Sequence, residues 1–232
     1  MKVSRTRYIS CVAILSAIST VLMYLDFAIP QIIPNFVKMD FSELPALLAS
    51  FALGPVAGVL VCLVKNLFHL IGTTTGGVGE LANFLIGACF VFTAGMIYKY
   101  KKTRLGAVIA AIVGSILMGL TSYPINLFIT YPFYYNFLPK EVIISMYQVL
   151  LPSVDSIEKS LIIFNTPFTI LKGLLNAILT FLIYKPLSPI IKGYNKVDNK
   201  KEILGNDKQI WQKQKMPSKR KTLKAFCLYI FL

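Results

Sequence analysis

Leu105–Ile129 reads LGAVIAAIVGSILMGLTSYPINLFI, twenty-five residues without one charged side chain. A transmembrane helix needs about 20 mostly apolar residues, so this stretch predicts a membrane span, and that decides the class of the chain. Working outward from it, five more apolar stretches appear: Tyr8–Leu25, Ser42–Leu53, Val56–Ile71, Leu81–Tyr98 and Leu161–Tyr184. The whole chain of 232 residues is 56% hydrophobic and 15% charged, with mean hydropathy +0.66. A soluble domain carries about 25% charged residues. The reading is an all-α integral membrane protein with six transmembrane helices over residues 1–191. Ser42–Leu53 is too short to cross a flat bilayer alone. It is expected to follow a loop that dips into the protein, which is tolerated only where protein or a cavity surrounds the loop. Lys2, Arg5 and Arg7 before an apolar run resemble a signal peptide, but five more segments follow, so the run reads as a first membrane helix.

The formal net charge of +14 is unevenly placed. Positive residues cluster at Lys2/Arg5/Arg7, at Lys99/Lys101/Lys102/Arg104, and from Lys192 onward. Six spans put all three clusters on one side, and the positive-inside rule makes that side cytoplasmic, with both termini. The opposite loops, Asp26–Phe41, Gly72–Glu80 and Thr130–Ser160, hold only Lys38, Lys140 and Lys159 as cations. Charge that flanks spans in this way argues against nucleic-acid binding as the reason for the high pI. Residues 192–232 read as a basic, disordered cytoplasmic tail in contact with anionic lipid.

Cys11, Cys62, Cys89 and Cys227 form no Cys-x-x-Cys pair and read as small packing residues. A single histidine, His69, excludes a multi-histidine metal site. No nucleophile–base pair is evident, which argues against an enzyme. Gly54-Pro55 predicts a tight turn between the second and third helices. Ser42 is placed to cap the second helix, with Pro45 in its first turn.

Lys65, Glu80, Asn83, Asn126 and Lys172 lie within or at the ends of the apolar runs. A charge at the bilayer centre costs about 2.5–3.5 kcal/mol on insertion scales, so such residues face a bundle interior or a cavity. Two readings stand for each. Lys172 either bridges to Asp40, Glu43 or Glu80, or donates hydrogen bonds to a ligand's carbonyl oxygens. Asn126 either bonds another helix or reads the edge of a heterocycle. Thr169, three residues before Lys172 and on the same helix face, adds a hydroxyl or bonds its own backbone. Lys65 and Asn66 read first as a structural pairing. The glycine-rich loop Gly72–Glu80 allows backbone N–H groups to approach a ligand closely. The aromatic residues of Thr130–Ser160 make an interfacial belt or a lid over an outward cavity. Ala13 and Ala17, four apart, serve close packing within the bundle or docking of a partner subunit.

These pieces together resemble the riboflavin-specific substrate-binding (S) component of bacterial energy-coupling-factor (ECF) vitamin transporters, from about Tyr8 to Lys185. The resemblance rests on Lys38-Met39-Asp40-Phe41-Ser42-Glu43-Leu44-Pro45, Val64-Lys65-Asn66-Leu67-Phe68-His69-Leu70 and Thr73-Thr74-Thr75-Gly76-Gly77-Val78-Gly79-Glu80-Leu81-Ala82-Asn83-Phe84. It rests also on Asn126 before a Pro/Tyr-rich loop and on Thr166-Pro167-Phe168-Thr169-Ile170-Leu171-Lys172-Gly173. It implies an S-component fold with an outward-facing pocket and a flavin held by Asn126, Thr169 and Lys172. The first and second outer loops cover it, which adds Asp40, Phe41, Thr75, Gly76, Glu80 and Asn83 as ligand-binding candidates. It implies that Ala13 and Ala17 dock a transmembrane coupling subunit, which works with two cytoplasmic ATPases. Riboflavin is then the transported ligand, and no cofactor is expected. The family often has asparagine where this chain has Thr169, so one flavin hydrogen bond is expected to be lost or carried by water. The alternatives are an S component for another vitamin and a self-sufficient secondary transporter. The latter predicts inverted repeats and an ion site, and no repeat is evident.

Overall fold

The second apolar stretch, ELPALLASFAL, is hydrophobic all around its circumference, and a helix of that kind is buried. In the computed structural model it forms α2 (Glu43–Leu53), with every residue from Glu43 to Phe51 buried. The structure describes residues 4–73 and 75–192, with side chains through Tyr184. Around α2 stand α1 (Arg5–Tyr24), α3 (Pro55–His69), α4 (Val78–Tyr100) and α9 (Thr166–Lys192), and α5 (Arg104–Ile125) packs against α4 and α9. Five helical stretches are long and apolar enough to cross a membrane: Arg5–Tyr24, Pro55–Gly72, Val78–Tyr100, Arg104–Tyr134 and Ile157–Tyr184. At a rise of 1.5 Å per residue, α2 extends only about 16 Å, roughly half of a hydrocarbon core. The expected basic tail, apart from Lys192 at the end of α9, lies outside the described residues, as do Lys2, Thr74 and Cys227.

Small residues let the helices approach. A Cβ on Gly58 would lie 2.8 Å from Ser50 Cβ, and one on Gly114 would lie 3.1 Å from Phe90. This is the small-residue contact that membrane helices use in place of a hydrophobic driving force. Gly54, at φ +112°, makes the predicted turn and hands the chain to Pro55 at the start of α3. Cys11, Cys62 and Cys89 are free.

The first outer loop is stapled at its base by a two-residue antiparallel ladder, β1 (Phe27–Ala28) with β2 (Lys38–Met39). Its Ile33 and Met39 are buried against Phe168 of α9. The third outer segment departs from the expected loop. The α5 helix runs on through a π-turn, Asn126–Thr130, into α6 (Tyr131–Tyr134), and α7 (Lys140–Gln148) and α8 (Ile157–Ser160) follow. A second π-turn, Leu161–Asn165, leads into α9. Prolines explain both turns. Pro124, Pro132 and Pro167 cannot donate the usual helical hydrogen bond, and the freed ladder resets as i→i+5 bonds, Tyr131 N–H to Asn126 O and Thr166 N–H to Leu161 O. Such turns are frequent at functional sites.

Candidate functional site

Both π-turns open onto one cavity of about 340 Å³, within the size range of small-molecule pockets. α1, the first outer loop, α3, α4, α5, the α6 segment and α9 all contribute to its wall. Of the residues expected at the site, Asp40, Thr75, Glu80, Asn83, Asn126, Thr169 and Lys172 line it. Phe41 and Gly76 do not. The Phe41 ring packs on Phe27, centroids 6.1 Å apart. Gly76, at φ +62°, takes a backbone conformation that favours glycine, and a Cβ there would lie 3.1 Å from the Phe133 ring.

A buried charge network forms the floor on one side. Lys172 Nζ lies 2.6 Å from Asp40 Oδ2. Lys65 Nζ lies 2.6 Å from Glu43 Oε1, with both side chains fully buried. Ser42 joins the two pairs: its hydroxyl donates to Asp40 Oδ1 and accepts from Lys65 Nζ at 2.6 Å. The Ser42 hydroxyl is therefore engaged by the charges, and it does not cap α2. Asn176 Nδ2 donates to the Asp40 carbonyl at 3.3 Å. Of the two readings of Lys172, the bridge to Asp40 is present, and the ammonium still reaches the cavity wall. Lys65 takes the structural pairing, and Asn66 Nδ2 turns back to the Cys62 carbonyl. Asp40 lies in the loop, outside the spans. Burial alone would push its carboxyl up, but the Lys172 and Lys65 charges and the hydrogen bonds from Lys172 and Ser42 hold it below the usual carboxylate range.

Opposite, the glycine-rich loop closes on Glu80. Thr73 and Thr75 hydroxyls donate to Glu80 Oε2, both at 2.9 Å, and His69 Nδ1 lies 2.9 Å from Oε1. The backbone N–H groups of Thr75, Gly77 and Gly79 donate to those same threonine hydroxyls. Three of the loop's amides, which could otherwise approach a ligand, are thus spent on holding the loop's own shape.

Aromatic residues make another part of the wall. Tyr131 and Tyr134 line the cavity, while Phe137 points outward, 69% exposed. The Tyr147 hydroxyl donates to Asn165 Oδ1 at 2.7 Å, and Asn165 Nδ2 donates to the Tyr131 hydroxyl at 3.2 Å. Phe36 of the first outer loop meets both tyrosine rings edge-on, at 6.5 and 5.9 Å. Thr130, Asn165, His69 and Tyr24 line the cavity without having been singled out as site residues. The signal that marks Thr130 and Asn165 is a polar residue within two positions before a proline, Pro132 and Pro167, inside an apolar run.

The model of the ECF transporter substrate-specific component matches residues 7–184. The chain belongs to this family. ECF substrate-specific components are transporter subunits, not enzymes. The chain is 33% identical over 192 residues to the riboflavin transporter RibU of Staphylococcus aureus, covering 83% of this chain and 96% of that protein. It is 29% identical to the riboflavin transporter FmnP of Bacillus subtilis, covering 78% of this chain and 92% of that one. A solved S component of a bacterial ECF transporter superposes with TM-score 0.64 at 34% identity, covering 82% of this chain and all of that one. The bundle described above is therefore the ECF S-component fold in a multi-pass membrane protein.

Proposed function

We propose that this chain is the high-affinity riboflavin-binding subunit of an ATP-driven vitamin importer. The observation that carries the reading is the convergence of Asn126, Thr169 and Lys172 on one cavity of ligand size, in a chain whose relatives are riboflavin transporters. The amide of Asn126, the Thr169 hydroxyl and the Lys172 ammonium hydrogen-bond the flavin's polar edge, and Asp40, Thr75, Glu80 and Asn83 line other parts of the same wall. The apolar wall, Ile86, Met118 and Phe168 among it, takes the rest of the ring.

The cavity faces outward and both termini are cytoplasmic, so the positive clusters share the inner side. α2 descends part of the way, Gly54-Pro55 turns, and α3 returns, which makes α2 the sixth and incomplete span. The membrane-embedded unit is residues 1–191, with 192–232 a separate tail. Ala13 and Ala17 lie exposed on α1, where a transmembrane coupling subunit docks. That subunit and two ATPases drive release inward, with the loaded bundle toppling in the membrane as the family resemblance implies.

Reconstitution tests this. In vesicles the chain alone should bind riboflavin and transport none, and uptake should need the coupling subunit, both ATPases and ATP. Uptake by the chain alone, driven by an ion gradient, would make it a secondary transporter instead.

A further inference from the structure

Two side chains of the cavity wall have a buried oxygen with no hydrogen-bond partner among the described residues: Thr130 Oγ1 and Asn83 Oδ1. Ser16, Asn66, Thr166 and Asn176 also carry such an atom, but none of them lines the cavity. The isolation of Thr130 has a local cause. Buried hydroxyls in helices commonly close on the carbonyl one turn back, as Ser115 and Thr180 do here at 2.8 and 2.7 Å. Thr130 ends a π-turn, in which the Asn126 carbonyl accepts from Tyr131 N–H, and its hydroxyl makes no such bond. The residue is only 6% exposed. Asn83 sits on α4, which packs against this π-turn. A buried polar atom left unpaired is costly, and a ligand that supplies the missing partner recovers that cost on binding.

We propose that Thr130 and Asn83 form a polyol subsite that takes hydroxyl groups of the ligand's ribityl chain. This deepens the riboflavin reading and rests on it. An amide oxygen accepts only and so requires a donor, while a threonine hydroxyl both gives and takes. A ligand hydroxyl satisfies the two together. The polar edge of a flavin ring is mostly carbonyl oxygens and acceptor nitrogens, which suit the Lys172 ammonium. The ribityl chain carries a hydroxyl on successive carbons, which suits this pair. Position agrees: Thr130 lies one turn beyond Asn126, in the π-turn that follows the end of α5 at Ile125, while Lys172 lies in the body of α9.

The test compares riboflavin with lumiflavin, which has the same ring and a methyl in place of the ribityl chain. Both are titrated by fluorescence against the detergent-purified wild type, Thr130→Val, Thr130→Ser and Asn83→Ala. Thr130→Val keeps the shape and removes the hydroxyl. It should raise the riboflavin Kd about tenfold, the effect of one lost hydrogen bond, and leave the lumiflavin Kd unchanged. Thr130→Ser should bind as wild type, and Asn83→Ala should follow the valine pattern. An unchanged riboflavin Kd in both Thr130→Val and Asn83→Ala would overturn the subsite. So would an equal loss for the two flavins, which would place the contacts on the ring. If Thr130→Val does not fold, Asn83→Ala decides alone, being on a different helix. A folded wild type that ignores riboflavin would defeat the functional reading itself, before any variant is compared.

Discussion

Lys172 Nζ and Asp40 Oδ2 lie 2.6 Å apart across 132 positions of sequence, tying the last helix to the loop that precedes α2. Both residues are nearly buried and both line the cavity. The pair therefore has two tasks: it neutralises a charge inside the bundle, and it presents an ammonium to whatever the cavity holds.

The two tasks separate in a pair of variants. Lys172→Met alone leaves Asp40 as a buried anion without its direct ion-pair partner and should destabilise the protein by about 3–5 kcal/mol. It should also weaken riboflavin binding by about 1.5–3 kcal/mol, roughly 10- to 150-fold in Kd. Adding Asp40→Asn removes the stranded charge, so stability should largely return while the affinity does not. Thermal unfolding and fluorescence titration of the three proteins read the two quantities. Recovery of affinity in the double variant would show that Lys172 acts only as a counter-ion.

Acid should undo the same pair. The Asp40 carboxyl is held below its ordinary value in the folded protein, since the charges of Lys172 and Lys65 outweigh burial. A depressed carboxylate contributes stability that is fully present above its unfolded pKa and is lost as pH falls through the folded one. The gap in unfolding temperature between wild type and Asp40→Asn should therefore be constant near neutrality and narrow below about pH 4. A gap that narrows on going up in pH would contradict the assignment.

The contact between α5 and α9 sets the distance between Asn126 and Thr169. At Gly119 an added Cβ would collide with the Ile170 side chain and lie 3.0 Å from the Thr166 carbonyl oxygen. Gly119→Ala should cost about 1–3 kcal/mol, the usual penalty of overpacking, and weaken riboflavin binding although it adds nothing to the cavity. Equal stability to wild type in a denaturation series would mean that the two helices separate freely here.

How much of this was legible in the sequence depends on the kind of feature. The helices were, because uncharged runs and the Gly54-Pro55 break are local signals, and the burial of α2 follows from its lack of a polar face. The pairing of Lys172 with Asp40 was not singled out, since Glu43 and Glu80 stood beside it as alternatives, and the sequence named no acid for Lys65. The glycine loop's composition permits close approach to a ligand but carries no trace of the bonds by which Thr73 and Thr75 hold the amides of Thr75, Gly77 and Gly79. Phe41 and Gly76 adjoin cavity residues in sequence but turn aside in space. Thr130 and Asn165 were hidden because a π-turn shifts the helical face, and periodicity counted at 3.6 residues per turn carries no trace of that shift.

Docking should be separable from binding. Ala13 and Ala17 lie on the exposed side of α1, away from the cavity lining. Replacing both by tryptophan should abolish co-purification with the coupling subunit and leave the riboflavin Kd within about twofold of wild type, since distant sites act independently. Retained assembly would move the docking surface elsewhere.

The most direct measurement is riboflavin titration of the detergent-purified chain by quenching of flavin fluorescence, after its visible spectrum is recorded for co-purified flavin. The account predicts saturable binding at one site by the chain alone, with no coupling subunit present. A folded, colourless protein that leaves riboflavin fluorescence unchanged would contradict it, and the S-component fold would then serve another ligand.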